Sequence, residues 1–216
     1  VLMQPIMSRN NIYIFFFFFV VTTISAQDLP TFFTKSDSFF NSYVVDGRVK
    51  YAAIKNNPQQ LNDILKSAKD ISVATSDTEI YQAFWINVYN LLVIDGVVEN
   101  YPLKSPLDIA GFFDSIEHNI GGEVTTLNGI ENNLLRAEFP NEPRFHFVLV
   151  CAGLGCPPII DEAYRPSTLD TQLQQQTSKA LNHPEFIRVD GSEVRISQIF
   201  EWYKSCLLYT SPSPRD

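Results

Sequence analysis

The chain reads as a single α+β domain, with a small, mostly antiparallel sheet packed with helices. Three observations predict this class. The pairs Asp46-Gly47, Gly121-Gly122 and Asp190-Gly191 each sit between short extended runs and read as hairpin turns. Between them lie segments whose apolar residues recur at helical spacing. One of these, Ala83–Val98, is apolar nearly all round and belongs at the centre of a core. Helices interleaved with hairpins indicate an α+β arrangement.

Taken in order, residues 1–26 read as an export signal. Arg9 follows Met7, and Ile12–Val21 is an apolar run of signal-core length. That run is shorter than the ~20 apolar residues that span a bilayer. Thr22–Ala26 supplies small and polar residues, with Ala26 as the last residue removed. An uncleaved membrane anchor is the alternative. Cleavage places residues 27–205 outside the cytoplasm, periplasmic or extracellular, without stable membrane insertion.

Leu29–Ser42 is aromatic and mixed, a short helix or a lead-in to the first hairpin, Tyr43–Tyr51. Pro58–Lys69 reads as a helix with Leu61, Ile64, Leu65 and Ala68 on one face. Ser76 and Glu79 form a capping box before the central apolar helix. Asn87 and Asn90 interrupt that helix three residues apart and so share a face. Buried amides need partners, because an unpaired one costs ~1–3 kcal/mol. A neighbouring loop, including the cysteine loop, would supply them.

Ile120–Thr126 contains the second hairpin turn, and Leu127–Phe139 follows as a helix striped by Leu127, Ile130, Leu134 and Leu135. At 100° per residue, Glu131 falls inside this stripe. A carboxylate aimed at the core needs a partner, or else it takes up a proton; an arginine salt bridge is the plainest partner. Arg144–Cys151 has apolar residues on both faces and reads as a buried strand. Ser167–Leu181 is an amphipathic helix capped by Ser167. The third hairpin spans Phe186–Ile196, and Ser197 caps a last helix.

The tail Cys206–Asp216 has no periodicity. It reads as a translated transposase sequencing adapter, which would leave the natural frame cut near Ser205. The chain carries 16 basic and 24 acidic residues; setting aside Arg9, Arg215 and Asp216 leaves 14 and 23, a net of −9. Such a balance argues against a nucleic-acid or anionic-membrane partner.

The segment Arg144–Pro158, RFHFVLVCAGLGCPP, concentrates the chemistry. Without Cys206, its Cys151 and Cys156 are the only cysteines. In an oxidising compartment the pair could be a disulfide. A thiol nucleophile needs a base and an acid to orient that base, and His146 and Glu131 are the candidates. On a regular strand, His146 and Cys151 would face opposite sides, so either cysteine could be the partner. His146 could equally be a core histidine. The scattered His118, His146 and His183 show no metal-ligand spacing, and no metal or other cofactor is expected. AGLG is followed by no Lys-Ser/Thr, so it is no phosphate loop.

Four stretches, AFWINVYN (Ala83–Asn90), TLNGIENNLLR (Thr126–Arg136), RFHFVLVCAGLGCPP and EAYRPSTLDTQL (Glu162–Leu173), together resemble signatures of the domain of unknown function 547 family. The resemblance runs from Tyr43 to Lys204. It departs at Gly153–Gly155, where the family more often has small polar residues. It implies retained positions at Asn87, Glu131, His146, Cys151, Cys156, Pro157 and Pro158. It also implies a suspected cysteine-hydrolase-like arrangement, related to papain or transglutaminase folds. Two functions follow as expectations. The first is an exported thiol-dependent hydrolase or acyl-transferase acting on an unknown peptide or amide substrate. There Glu131 orients His146, which activates Cys151 or Cys156, with Cys151 preferred. The second is a noncatalytic exported binding or structural domain stapled by a Cys151–Cys156 disulfide.

Overall fold

A computed structural model describes Asp28–Lys204, except Leu154, Gly155 and Glu185, together with Leu207. The export-signal segment, Cys206 and the rest of the adapter-like tail lie outside these residues, apart from Leu207.

Helix α1 (Asp28–Tyr43) leads directly into a hairpin of β1 (Val44–Val45) and β2 (Arg48–Val49). Asp46 and Gly47 both adopt positive φ, 51° and 73°, the conformation that a tight two-residue turn demands. Helices α2 (Tyr51–Asn56) and α3 (Gln59–Ala68) follow. Helix α3 buries Leu61, Ile64 and Ala68 on one stripe, as its spacing predicts.

Helix α4 (Thr78–Glu99) runs 22 residues through the middle of the domain and is buried on nearly every side. The capping box does not form. Asp77 stands at the N-cap without a side-chain hydrogen bond, and its carbonyl accepts from Tyr81 N–H at 2.8 Å. Phe32, Phe39 and Phe40 of α1 and Leu61 and Ile64 of α3 pack with Phe84, Ile86 and Leu91 of α4 in one main core. Each such side chain contributes about 1.5–3 kcal/mol by leaving water, which is why so apolar a helix takes the centre.

The second hairpin pairs β3 (His118–Ile120) with β4 (Glu123–Thr125). Its turn docks on the end of α3, where Gly121 and Gly122 N–H donate to the Ala68 and Lys69 carbonyls at 3.1 and 2.8 Å. They add to the bond that the Ala68 carbonyl accepts from Ile71 N–H at 3.3 Å, at a helix end that leaves its last carbonyls without intrahelical partners. Gly121 has φ 66°, and a Cβ there would stand 2.5 Å from the Trp85 ring, so no larger residue fits.

Helix α5 (Leu127–Gly129) starts with the Thr126 hydroxyl accepting from Gly129 N–H at 3.0 Å. It continues as a wider, π-helical stretch, Ile130–Arg136, which ends with Ala137 N–H bonding the Asn132 carbonyl five residues back. Helix α6 (Leu169–Leu181) begins after a 3₁₀ turn, Pro166–Thr168, so Thr168 and not Ser167 precedes its first residue. The third hairpin, β5 (Ile187–Asp190) and β6 (Glu193–Ile196), turns at Gly191. Ser197 Oγ then accepts from Ile199 N–H at 3.3 Å at the start of α7 (Ile199–Trp202).

The domain is α+β, with helices forming the core and three separate antiparallel two-stranded hairpins around it. A second, smaller cluster of Phe147, Ala180, Phe186 and Ile199 ties α6, the third hairpin and α7 to the segment after Pro143. That segment is not the expected strand. Pro143–Phe147 is a 3₁₀ helix, begun by Pro143 and by Glu142, whose carboxylate accepts from Arg144 N–H at 3.2 Å. Val148 and Leu149 N–H both bond the Phe145 carbonyl at 3.1 Å.

Candidate functional site

Residues 148–150 run through the core without a neighbouring strand, so the Val148 carbonyl and Val150 N–H depend on a side chain. Asn90 meets that need: its amide donates to the Val148 carbonyl at 3.0 Å and accepts from Val150 N–H at 3.0 Å. One turn earlier, Asn87 does the same for Tyr164, donating at 2.8 Å and accepting at 3.0 Å. Both asparagines are at most 1% exposed. Two amides on one face of α4 thus hold the chain on either side of the cysteine loop, at residues 148–150 just before it and at Tyr164 further on. Gln172 adds a third clamp, bonding the Ala163 carbonyl and Arg165 N–H.

Within this frame Cys151 and Cys156 are bonded to each other, with their Cα atoms 5.8 Å apart, within the ordinary range for a disulfide. The loop between them places Ala152 at φ 52°, a left-handed conformation costing an alanine about 1–2 kcal/mol. Pro158, just past the bridge, packs against the first hairpin. A Cβ on Gly47 would come within 2.8 Å of it. Replacing both cysteines with serine is expected to lower stability by about 2 kcal/mol, the chain-entropy value for so short a ring. Urea unfolding without reductant measures this, and an unchanged midpoint would show that the bridge adds nothing.

His146, on the 3₁₀ turn, and Glu131, on the π-helical stretch, line the same cleft as the bridge. The His146 side chain is 1% exposed, and neither ring nitrogen has a hydrogen-bond partner among the described residues. Its Nδ1 lies 3.9 Å from Glu131 Oε1, too far for a hydrogen bond. Burial, with the Arg136 charge adding to it, holds the imidazole down to about 3, so it is neutral at ordinary pH and the contact is no ion pair. Burial pushes the Glu131 carboxyl above its usual range, while a Tyr203 hydrogen bond and Arg136 pull the other way.

Tyr203 is the residue that the sequence did not single out. Its hydroxyl donates to Glu131 Oε1 at 2.7 Å, and its ring stacks on His146 with centroids 3.7 Å apart. The Arg136 guanidinium covers the ring at 4.9 Å and bonds Asn132 Oδ1. Glu131 therefore answers to a phenol rather than to an arginine salt bridge. Only the reach of the family resemblance to Lys204 took in Tyr203; its place depends on the small cluster that anchors α7.

Glu131, His146, Cys151, Cys156 and Tyr203 all line one cleft of about 560 Å³, a size suited to a small ligand. Histidine and Cys151 do not face opposite ways, because no regular strand joins them. Among the described residues no group of three or more His, Cys, Asp or Glu is arranged to hold a metal, and no helix is long and apolar enough to cross a membrane.

Fold and cleft together define a small α+β domain with a cross-linked loop facing a histidine–carboxylate–phenol cluster. The chain belongs to the family described as protein of unknown function, DUF547, whose model matches residues 73–180. That stretch carries α4, Glu131, His146 and both cysteines; Tyr203 lies beyond it. No curated protein and no solved structure matches the chain.

Proposed function

We propose that the protein is an exported thiol-dependent hydrolase or acyl-transferase acting on an amide or peptide bond, inactive while Cys151 and Cys156 are bridged. The observation that carries this reading is the meeting, in one cleft, of a cysteine pair, a neutral imidazole with unpartnered nitrogens and a carboxylate fixed by a phenol. A dithiol reductant becomes a disulfide as it opens the bridge to two protein thiols. One of these, Cys151 by preference, passes its proton to His146 and attacks the substrate carbonyl carbon. The carbon–nitrogen bond breaks, and the amine leaves with that proton. The acyl group stays on sulfur as a thioester until water, or an acceptor amine, takes it and the thiol is restored. Burial and Arg136 oppose an imidazolium in the free protein, so in this reading Glu131 closes on Nδ1 as substrate binds and stabilises the imidazolium formed on the way. Its separation of 3.9 Å from Nδ1 suits a contact that tightens only around substrate.

The bridge itself supports a second reading, a noncatalytic binding domain stapled at residues 151 and 156. One experiment separates the two. The reduced protein is mixed with activated aryl esters and anilides of simple acyl groups. The hydrolase reading expects one acyl adduct per chain on a cysteine, seen by mass, and turnover that falls about 10²–10⁴-fold in His146→Ala. The adduct should vanish in the matching cysteine-to-serine variant. No adduct on either sulfur, and no release above background, favours the binding domain.

A further inference from the structure

The walls of the cleft say what kind of acyl group it accepts, on the reading that it is an acyl-transfer site. Among the described lining residues there is no lysine or arginine, and Glu131 is the only acid. That carboxylate is already engaged by the Tyr203 hydroxyl, and its side chain is 13% exposed, so little of its charge is free for a cationic ligand. The nearest cation, Arg136, lies behind the Tyr203 ring and is bonded to Asn132, so a free carboxylate or phosphate would find no countercharge in the walls themselves, and would lose its hydration on entry.

The mouth is apolar. Leu107, Ile196 and Trp202 are 79%, 56% and 61% exposed, and all three line this cleft. Single exposed apolar side chains are ordinary, but three converging on one concave site mark a contact surface. They come from separate places in the chain: the turn at Pro106–Asp108, strand β6 and helix α7. Deeper in, Tyr89, Phe113 and Leu149 continue the apolar lining towards the cysteine loop.

We infer that the cleft selects an uncharged acyl group with an aromatic or medium-length alkyl chain, held at its mouth by Leu107, Ile196 and Trp202. The reacting carbonyl then lies by the cysteine loop, and the chain points outward over the apolar rim.

The test uses the full chain in its bridged form, which cannot be acylated, so binding is read apart from thiol chemistry. Octanamide, octanoate and octylammonium are titrated by calorimetry, with tryptophan fluorescence as a second readout. Octanamide should bind, and both charged analogues should bind at least about tenfold more weakly. Trp202→Ala and Leu107→Gln, both at exposed positions, should each weaken octanamide at least about threefold without moving the unfolding midpoint. Equal or tighter binding of either charged analogue, or rim variants with unchanged affinity, would overturn the inference. If octanamide binds as expected but the reduced protein forms no acyl adduct, the ligand class stands and the hydrolase reading fails. If adducts form equally well from charged and neutral acyl donors, the hydrolase reading stands and the selectivity fails.

Discussion

Asn90→Leu is expected to destabilise the protein by about 2–6 kcal/mol. The substitution keeps the size of the side chain and its place on α4, so packing changes little. What it removes are the partners of the Val148 carbonyl and Val150 N–H, both buried. An orphaned buried backbone group costs about 1–3 kcal/mol, and two are left here. Against a typical total of about 5–15 kcal/mol, that is a large share. Urea unfolding of the variant beside Asn133→Leu makes the comparison, since Asn133 is exposed and should shift stability by less than about 0.5 kcal/mol. If the two variants unfold at the same midpoint, the Asn90 clamp is not what holds residues 148–150.

His146 should leave a signature in the acid range. Its folded-state value is depressed to about 3 by burial and by Arg136, against about 6.5 for an unperturbed histidine. The unfolded chain therefore binds a proton between these values that the folded chain refuses. Stability from the neutral buried ring is fully present above about pH 6.5 and is lost as pH falls towards 3. Between pH 7.5 and 5 the loss attributable to His146 is about 2 kcal/mol. Glu131, raised by burial, acts in the opposite direction over the window above its ordinary value, so the contrast with a variant isolates the histidine. His146→Phe keeps the stacking on Tyr203 and should flatten the profile by that amount, read from denaturant midpoints at the two pH values. An unchanged slope would mean that His146 titrates as an exposed histidine does.

Much of the frame was legible because local rules governed it. The three hairpins could be read from their turn residues, since Gly47, Gly121 and Gly191 occupy positive φ. Helix α4 was legible from apolarity nearly all round, and its two asparagines from the cost of burying an amide. Glu131 was legible as an inward acid even though the helix there is wider than the wheel assumes.

The cysteine segment was misread for a non-local reason. An apolar run on both faces is what a central strand looks like, and periodicity alone cannot distinguish it from a tight turn followed by extended chain. What decides is an amide 58–60 residues earlier in the chain taking the place of a neighbouring strand. Tyr203 was hidden in the same way. Its position over His146 follows from Phe147, Phe186 and Ile199 packing together, which no local pattern encodes.

A thiol served by His146 once the bridge opens, as proposed, should show in iodoacetamide labelling with peptide mapping before and after reduction. The bridged protein should take no label. After reduction, one of Cys151 and Cys156 should label faster than the other, with that advantage lost in His146→Phe. Equal labelling of both thiols after reduction, unchanged in His146→Phe, would rule the proposed pairing out.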